Sequence, residues 1–198
     1  MKTPPHVRKG EATRSRISRS AIELINERGY FGTGMNDILS RAKAPKGSMY
    51  FHFPGGKEQV ATVAIREIGA EIGGLLKRGL ANVNSPEDAV VTIFAYFKAQ
   101  LIAGGYKCGC PVSIVGLELS GTDSVVLEAC SDVYAEWMTL MSDYFAAFLS
   151  HDDAAKLSSS IFAMVQGALL LSRVSADPSH LGNAQKACIS LLHQTLKS

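Results

Sequence analysis

The stretch Ala42–Glu58, AKAPKGSMYFHFPGGKE, constrains the fold of this chain more than any other part of it. The run Met35–Ala42 before it reads as a short helix with Ile38, Leu39 and Ala42 on one face. Across Lys43–Pro45, the segment Gly47–Phe53 reads as a second short helix, with Lys46 just before it and His52 near its end. Pro54-Gly55-Gly56 then breaks the chain. Two short helices on a tight turn make the helix-turn-helix layout, whose second helix enters a DNA major groove.

The rest of the sequence extends this to an all-α fold. No segment alternates apolar and polar residues as a half-buried strand does. The prolines and charges of residues 1–10 predict a loose arm. A helix over about Glu11–Arg28 follows, with Ile17, Ala21, Leu24 and Ile25 at helical spacing and Gly29 as its stop. Gly34 stands at the N-cap of the next helix, where Ser or Thr caps better, and Asp37 stands at the capping-box position. Beyond the breaker, helices are predicted at about Lys57–Leu80, Pro86–Ala103, Val112–Leu119, Asp123–Ser150, Asp153–Ser175 and Ser179–Lys197. The expected organisation is an N-terminal three-helix DNA-binding domain over residues 1–56 and a C-terminal helical regulatory domain over residues 57–198.

Charge supports a polyanion as the partner of the N-terminal part alone. Residues 1–60 hold eleven Lys/Arg and five Asp/Glu, a net of +6. The remaining nine bases and thirteen acids give residues 61–198 a net of −4. A basic head on an acidic body suits nucleic acid at the head, against the plainer alternative of a solvated basic surface. No run of about 18 apolar residues predicts a membrane span. The N-terminus lacks an apolar secretory segment, and Cys108, Cys110, Cys130 and Cys188 form no disulfide framework, so a cytoplasmic protein is expected.

The proposed reading head has a definite chemistry. Ile38, Leu39 and Ala42 can meet Met49 and Phe53 above Ile17, Ala21 and Leu24, which makes a three-helix core. Phe51 is also expected in that core. The outward face then offers Lys46 as charge at the groove edge and Ser48 for a phosphate or base edge. Tyr50 and His52 can donate to phosphate oxygens. Gly47 lets the backbone come close. Lys57 opens the next helix, where free N–H groups attract phosphate. Arg14, Arg16 and Arg19 can reach the DNA backbone from the first helix.

The segment Arg14–Gln59 resembles the DNA-binding domain of the TetR/AcrR family of bacterial repressors, through ELINERGYFGTGMNDILSRA and KGSMYFHFPGGKEQ. The FHFPGGKEQ run with the downstream GCP is similar to a subgroup associated with multidrug-type efflux. The resemblance implies DNA contacts at Thr33, Lys46, Ser48, Tyr50, His52 and Lys57. Two positions depart from the family pattern. Lys43 stands where the family usually has a turn glycine, and a left-handed turn there costs a non-glycine residue roughly 1 kcal/mol. If exposed, Lys43 adds a phosphate contact. Gly34 replaces the usual Ser/Thr cap.

The resemblance also implies a helical inducer-binding domain and a dimer that binds a palindromic double-stranded operator. One apolar stripe holds Phe94, Phe97 and Leu101, and another holds Tyr134, Trp137, Met138, Met141 and Tyr144. Such stripes serve an ordinary core or a pocket for a small apolar or aromatic inducer. Gln166 and Glu118 are candidates to orient that ligand, or are solvent-facing. Dimer faces are expected at Ile161, Val165, Ala168 and Leu169 on one helix, and at Ala184, Ala187, Cys188, Leu191 and Leu192 on the next. Packing within one chain is the alternative.

No cofactor or metal is implied. The C-x-C of Cys108 and Cys110 is tighter than zinc spacing, and no Ser-His-Asp, HExxH or P-loop pattern appears. The rival functions are a nucleoid-type DNA binder without a ligand and an enzyme carrying a vestigial helix-turn-helix.

Overall fold

The computed structural model describes residues 5–197, with side chains from residue 10 onward. Among these residues there are nine helices and no strand. They are α1 (Pro5–Arg28), α2 (Met35–Ala42), α3 (Lys46–His52), α4 (Gly56–Leu80) and α5 (Pro86–Ala103), then α6 (Pro111–Glu118), α7 (Val125–Phe145), α8 (His151–Ser175) and α9 (Ser179–Thr195). The all-α expectation holds. The loose arm does not: α1 is helical from Pro5, while residues 1–4 lie outside the described part. Proline suits that first helical position, because the N–H it lacks would have no intrahelical partner there.

Local chemistry explains several boundaries. Ser85 caps α5 by accepting from the Asp88 N–H at 3.1 Å, with Pro86 at the first position. Ser150 caps α8 in the same way through the Asp153 N–H at 3.2 Å. These side chains satisfy donors that a helix start otherwise leaves unpaired. Gly34 gives α2 no side-chain cap. Lys43 closes α2 in the left-handed region, φ 49° and ψ 44°. The Lys43 N–H donates to Ser40 O at 3.2 Å, and the Ala44 N–H donates to Leu39 O at 3.0 Å. Lys43 therefore carries the backbone strain that a glycine would avoid.

The chain forms two compact units rather than dividing at a single cut. Among the described residues, 5–69 and 111–131 make the first, so α6 and the start of α7 join the head, as does α4 as far as Gly69. Its core holds Ile17, Ala21, Leu24, Ile38, Leu39, Ala42, Met49, Phe53, Val60 and Ala64. Residues 70–110 and 132–197 make the second. Its core is built on Phe94, Trp137, Met141, Phe145, Ile161, Val165 and Leu192, all buried.

α8 is long and apolar enough to cross a membrane by length and composition, which the sequence reading did not expect. One of its faces closes the core of the second unit, and another carries exposed apolar residues.

Candidate functional site

α3 has seven residues, so a core face and an outward face leave little between them. Met49 and Phe53, four residues apart, are buried. Tyr50 and Phe51 point away and are each 80% exposed. The expectation that Phe51 belongs to the core is thus wrong. It lies two positions from Phe53, about 200° around a helix, so the two rings cannot share a face. Phe51 packs edge-on to His52, with ring centroids 4.8 Å apart. Lys46 and Gly47 are exposed, while Ser48 and His52 are half-buried. A Cβ on Gly47 would meet nothing within 4 Å, so that backbone stands open to an approaching partner.

Around α3 the cations divide into outward and engaged groups. Arg14 is exposed, and its guanidinium lies 5.3 Å from the centroid of the buried Phe53 ring. Lys43 is exposed on the turn. Arg16 donates through Nε to the Ala42 carbonyl at 3.3 Å, so it braces the end of α2. Arg41 makes a bidentate fork to Glu27, at 2.9 and 3.0 Å. The fork holds the Glu27 carboxyl below its usual range.

Two of the expected DNA contacts are placed differently. Thr33 is 1% exposed, and its hydroxyl donates to Gly29 O at 2.7 Å. Its side chain ties the corner between α1 and α2 and does not face outward. Lys57 is half-buried, with its ammonium 4.2 Å from the centroid of the Tyr30 ring. Desolvation lowers its pKa, against an opposing pull from Glu118.

Glu118 is exposed, as the solvent-facing alternative had it, but it also has a partner that the sequence did not suggest. Its carboxylate accepts from the Phe31 N–H at 2.9 Å, within the first unit. It therefore serves the α1–α2 corner rather than a ligand.

In the second unit, the candidate ligand residues Phe94, Phe97, Leu101, Trp137 and Met141 are buried core side chains. Trp137 packs on Phe162 and Tyr134, each with centroids 6.0 Å away. Gly73 makes room for the indole, since a Cβ there would lie 3.3 Å from Nε1. Met138 and Gln166 are half-buried. Tyr144 alone of the candidates lines a groove of about 620 Å³ between the end of α4 and α7. Its hydroxyl lies 3.1 Å from both the Val83 and Ser85 carbonyl oxygens.

Six of the nine expected dimer residues are covered within the chain itself. Ile161, Val165, Ala168, Leu169, Cys188 and Leu192 are buried within the single chain, where α8 packs on α9 and both meet α5. The Cys188 thiol lies 3.1 Å from Met164 Sδ, and burial pushes its pKa up to about 11. Ala184 and Leu191 are half-buried, and Ala187 is exposed. The apolar strip left facing outward on α8 is Leu170, Leu171 and Val174, with exposures of 57%, 54% and 80%. Gly167 continues it one turn back. The cysteines are all free thiols, and no cluster of three or more His, Cys, Asp or Glu suited to a metal occurs among the described residues.

Comparison with known proteins agrees with this geometry. The family description "Bacterial regulatory proteins, tetR family" matches residues 17–64, which span the helix-turn-helix. The description "Transcriptional regulator LmrA/YxaF-like, C-terminal domain" matches residues 86–187. The chain is 31% identical to the HTH-type transcriptional regulator LmrA of Bacillus subtilis, over 85% of this chain and 90% of that protein. The chain belongs to the TetR family of bacterial transcription regulators. A solved TetR transcriptional regulator from Chloroflexus aurantiacus is 28% identical, with a TM-score of 0.79 over 95% of this chain and 98% of that one. The HTH-type transcriptional repressor DhaR of a Mycobacterium species is 27% identical over 63% of this chain and 61% of its own length. These TetR-family relatives are regulators and not enzymes, so the vestigial-head enzyme is set aside.

Proposed function

We propose that this chain is a ligand-responsive repressor that binds a palindromic operator as a homodimer in the cytoplasm. The observation that carries the reading is the outward face of α3. Exposed Tyr50 and Phe51 add little to the fold, and they stand beside Lys46, Ser48 and His52. Such a face suits a partner that offers both phosphates and apolar base edges. Phe51 contacts a thymine methyl, and Ser48 a base edge or phosphate. Tyr50 and His52 donate to phosphate oxygens, with Lys46, Lys43 and Arg14 as flanking charge. Lys57 contributes from the start of α4, and Thr33 acts by holding the α1–α2 corner.

The exposed strip Gly167, Leu170, Leu171 and Val174, with Ala187 on α9, supports dimerisation through α8 and α9. Two such helix pairs make a four-helix bundle. A dimer then presents two copies of α3 to half-sites about 34 Å apart.

The inducer is a small apolar or aromatic molecule, and the groove at Leu80, Leu140 and Tyr144 supports a site for it on the regulatory part. Ligand acts by tilting α4, which changes the separation of the reading heads. It can weaken DNA binding only as far as it prefers the released state. The FHFPGGKEQ and GCP motifs support efflux-type target genes.

Selection of bound duplexes from random DNA tests the reading. The expected product is a palindrome protected at two half-sites about one helical turn apart. Enrichment of no sequence, together with a steep salt dependence, would instead mark a nucleoid-type binder. For the inducer step, head separation by solution scattering must change when ligand releases DNA. An unchanged separation refutes the tilt.

A further inference from the structure

The corner between α1 and α2 is held from a distant part of the chain. Gly29 ends α1 with its N–H on Ile25 O at 2.8 Å and φ +81°. The Thr33 N–H donates to Tyr30 O at 3.2 Å, and the Thr33 hydroxyl to Gly29 O at 2.7 Å. The Phe31 N–H donates to Glu118 Oε2 at 2.9 Å, across 87 residues of sequence. The approach is close. A Cβ on Gly29 would lie 2.0 Å from Glu118 Oε1, so a side chain there would displace the carboxylate, and the positive φ independently favours glycine. Glu118 also attracts Lys57, whose ammonium covers the Tyr30 ring.

We propose that Glu118 is a positioning residue for DNA reading, a clasp by which the end of α6 fixes the α1–α2 corner and hence the pose of α3. The inference rests on the reading of the head as an operator-binding module. The path from corner to α3 is short and stiff. α2 leaves the corner and packs Ile38 and Leu39 into the same core as Ile17, Leu24 and Met49. A corner that relaxes moves α2, and α3 moves with it. Base contacts tolerate only about 0.5 Å of such drift. Glu118 acts at the corner through the Phe31 N–H, so its effect is on geometry rather than on phosphate binding.

Electrostatics alone predicts the opposite sign. Removing a carboxylate from a DNA-binding head strengthens its binding to a polyanion. Three variants separate the two effects. E118A removes acceptor and charge, E118D keeps the charge but loses the reach, and E118Q keeps an oxygen acceptor without the charge. The probes are the duplex that the parent protein selects from random DNA, a scrambled duplex of equal length, and amide exchange at Phe31.

E118A and E118D are expected to bind the selected duplex about fivefold more weakly, as the loss of one solvent-exposed hydrogen bond implies. E118Q is expected within about threefold of the parent. Binding of the scrambled duplex should not weaken in any variant. Phe31 exchange should quicken in E118A and E118D. If E118A fails to fold, E118D against E118Q carries the same comparison. Parent-like operator affinity in E118D and E118A, or unchanged Phe31 exchange, overturns the clasp. If the parent enriches no duplex, the operator reading itself falls, while Phe31 exchange still reports whether Glu118 holds the corner.

Discussion

Phe51→Ala separates the reading face from the core more cleanly than any other change. Phe51 is 80% exposed, so folding buries only about a fifth of a side chain of roughly 200 Å². That is about 40 Å², and at about 25 cal/mol per Å² it contributes about 1 kcal/mol to stability. The remaining surface, about 160 Å², is available to DNA and sets a gross ceiling near 4 kcal/mol. Ordering costs and incomplete contact reduce this to the 1–3 kcal/mol typical of a base contact, about 5- to 150-fold in affinity per head. The neighbouring Met49 is 3% exposed and gives the reverse case. Met49→Ala is expected to cost about 2–5 kcal/mol of stability. The assays are urea unfolding and fluorescence anisotropy with the selected duplex at fixed salt. The expected pattern is a near-normal midpoint with weak operator binding for Phe51→Ala, and a lowered midpoint for Met49→Ala. Operator binding within twofold of the parent in Phe51→Ala refutes the assignment of this face. A stability loss well above 1 kcal/mol refutes the assignment of its burial.

Three further outcomes are expected. Lys43→Gly relieves about 1 kcal/mol of left-handed strain, offset by about 0.5 kcal/mol of glycine chain entropy, so the urea midpoint rises slightly. Leu170→Glu with Leu171→Glu leaves the monomer folded but converts dimer to monomer in sedimentation, whereas Ile161→Ala destabilises each chain because Ile161 is buried within it. Tyr96 is pushed up to about 12 by burial first, then by the charges of Glu71 and Cys110. Its unfolded value is near 10, so its contribution is intact below pH 10 and is lost as pH rises toward 12. Tyr96→Phe should therefore flatten the fall in stability across that window, relative to the parent.

The helix-turn-helix was legible in the sequence because its signals are local. The Pro54-Gly55-Gly56 breaker, the short break after Ala42 and the i, i+4 pair Met49 and Phe53 fix two helices and their shared face. Phe51 was also legible, since a helical wheel puts it opposite Phe53, but aromatic character alone pulled it toward the core. Lys43 showed only that the turn was unusual, and the backbone angle shows how. The dimer face could not be read from α8. That helix is apolar on more than one side, and periodicity does not say which side another part of the chain covers. Within one chain Ile161, Val165 and Leu169 are buried, and Leu170, Leu171 and Val174 stay outward, where the proposed dimer contact would lie. Glu118 was beyond sequence reading for a different reason. Its partner lies 87 residues away, and no local pattern marks a carboxylate that accepts from a backbone N–H.

The proposed repression depends on α3 reading base sequence through its exposed face. The most direct test is the affinity for the selected duplex against a scrambled duplex of the same length, at one physiological salt concentration. A sequence-reading dimer should prefer the selected duplex by about 10³-fold or more. A ratio near one, with both affinities collapsing together as salt rises, would contradict it.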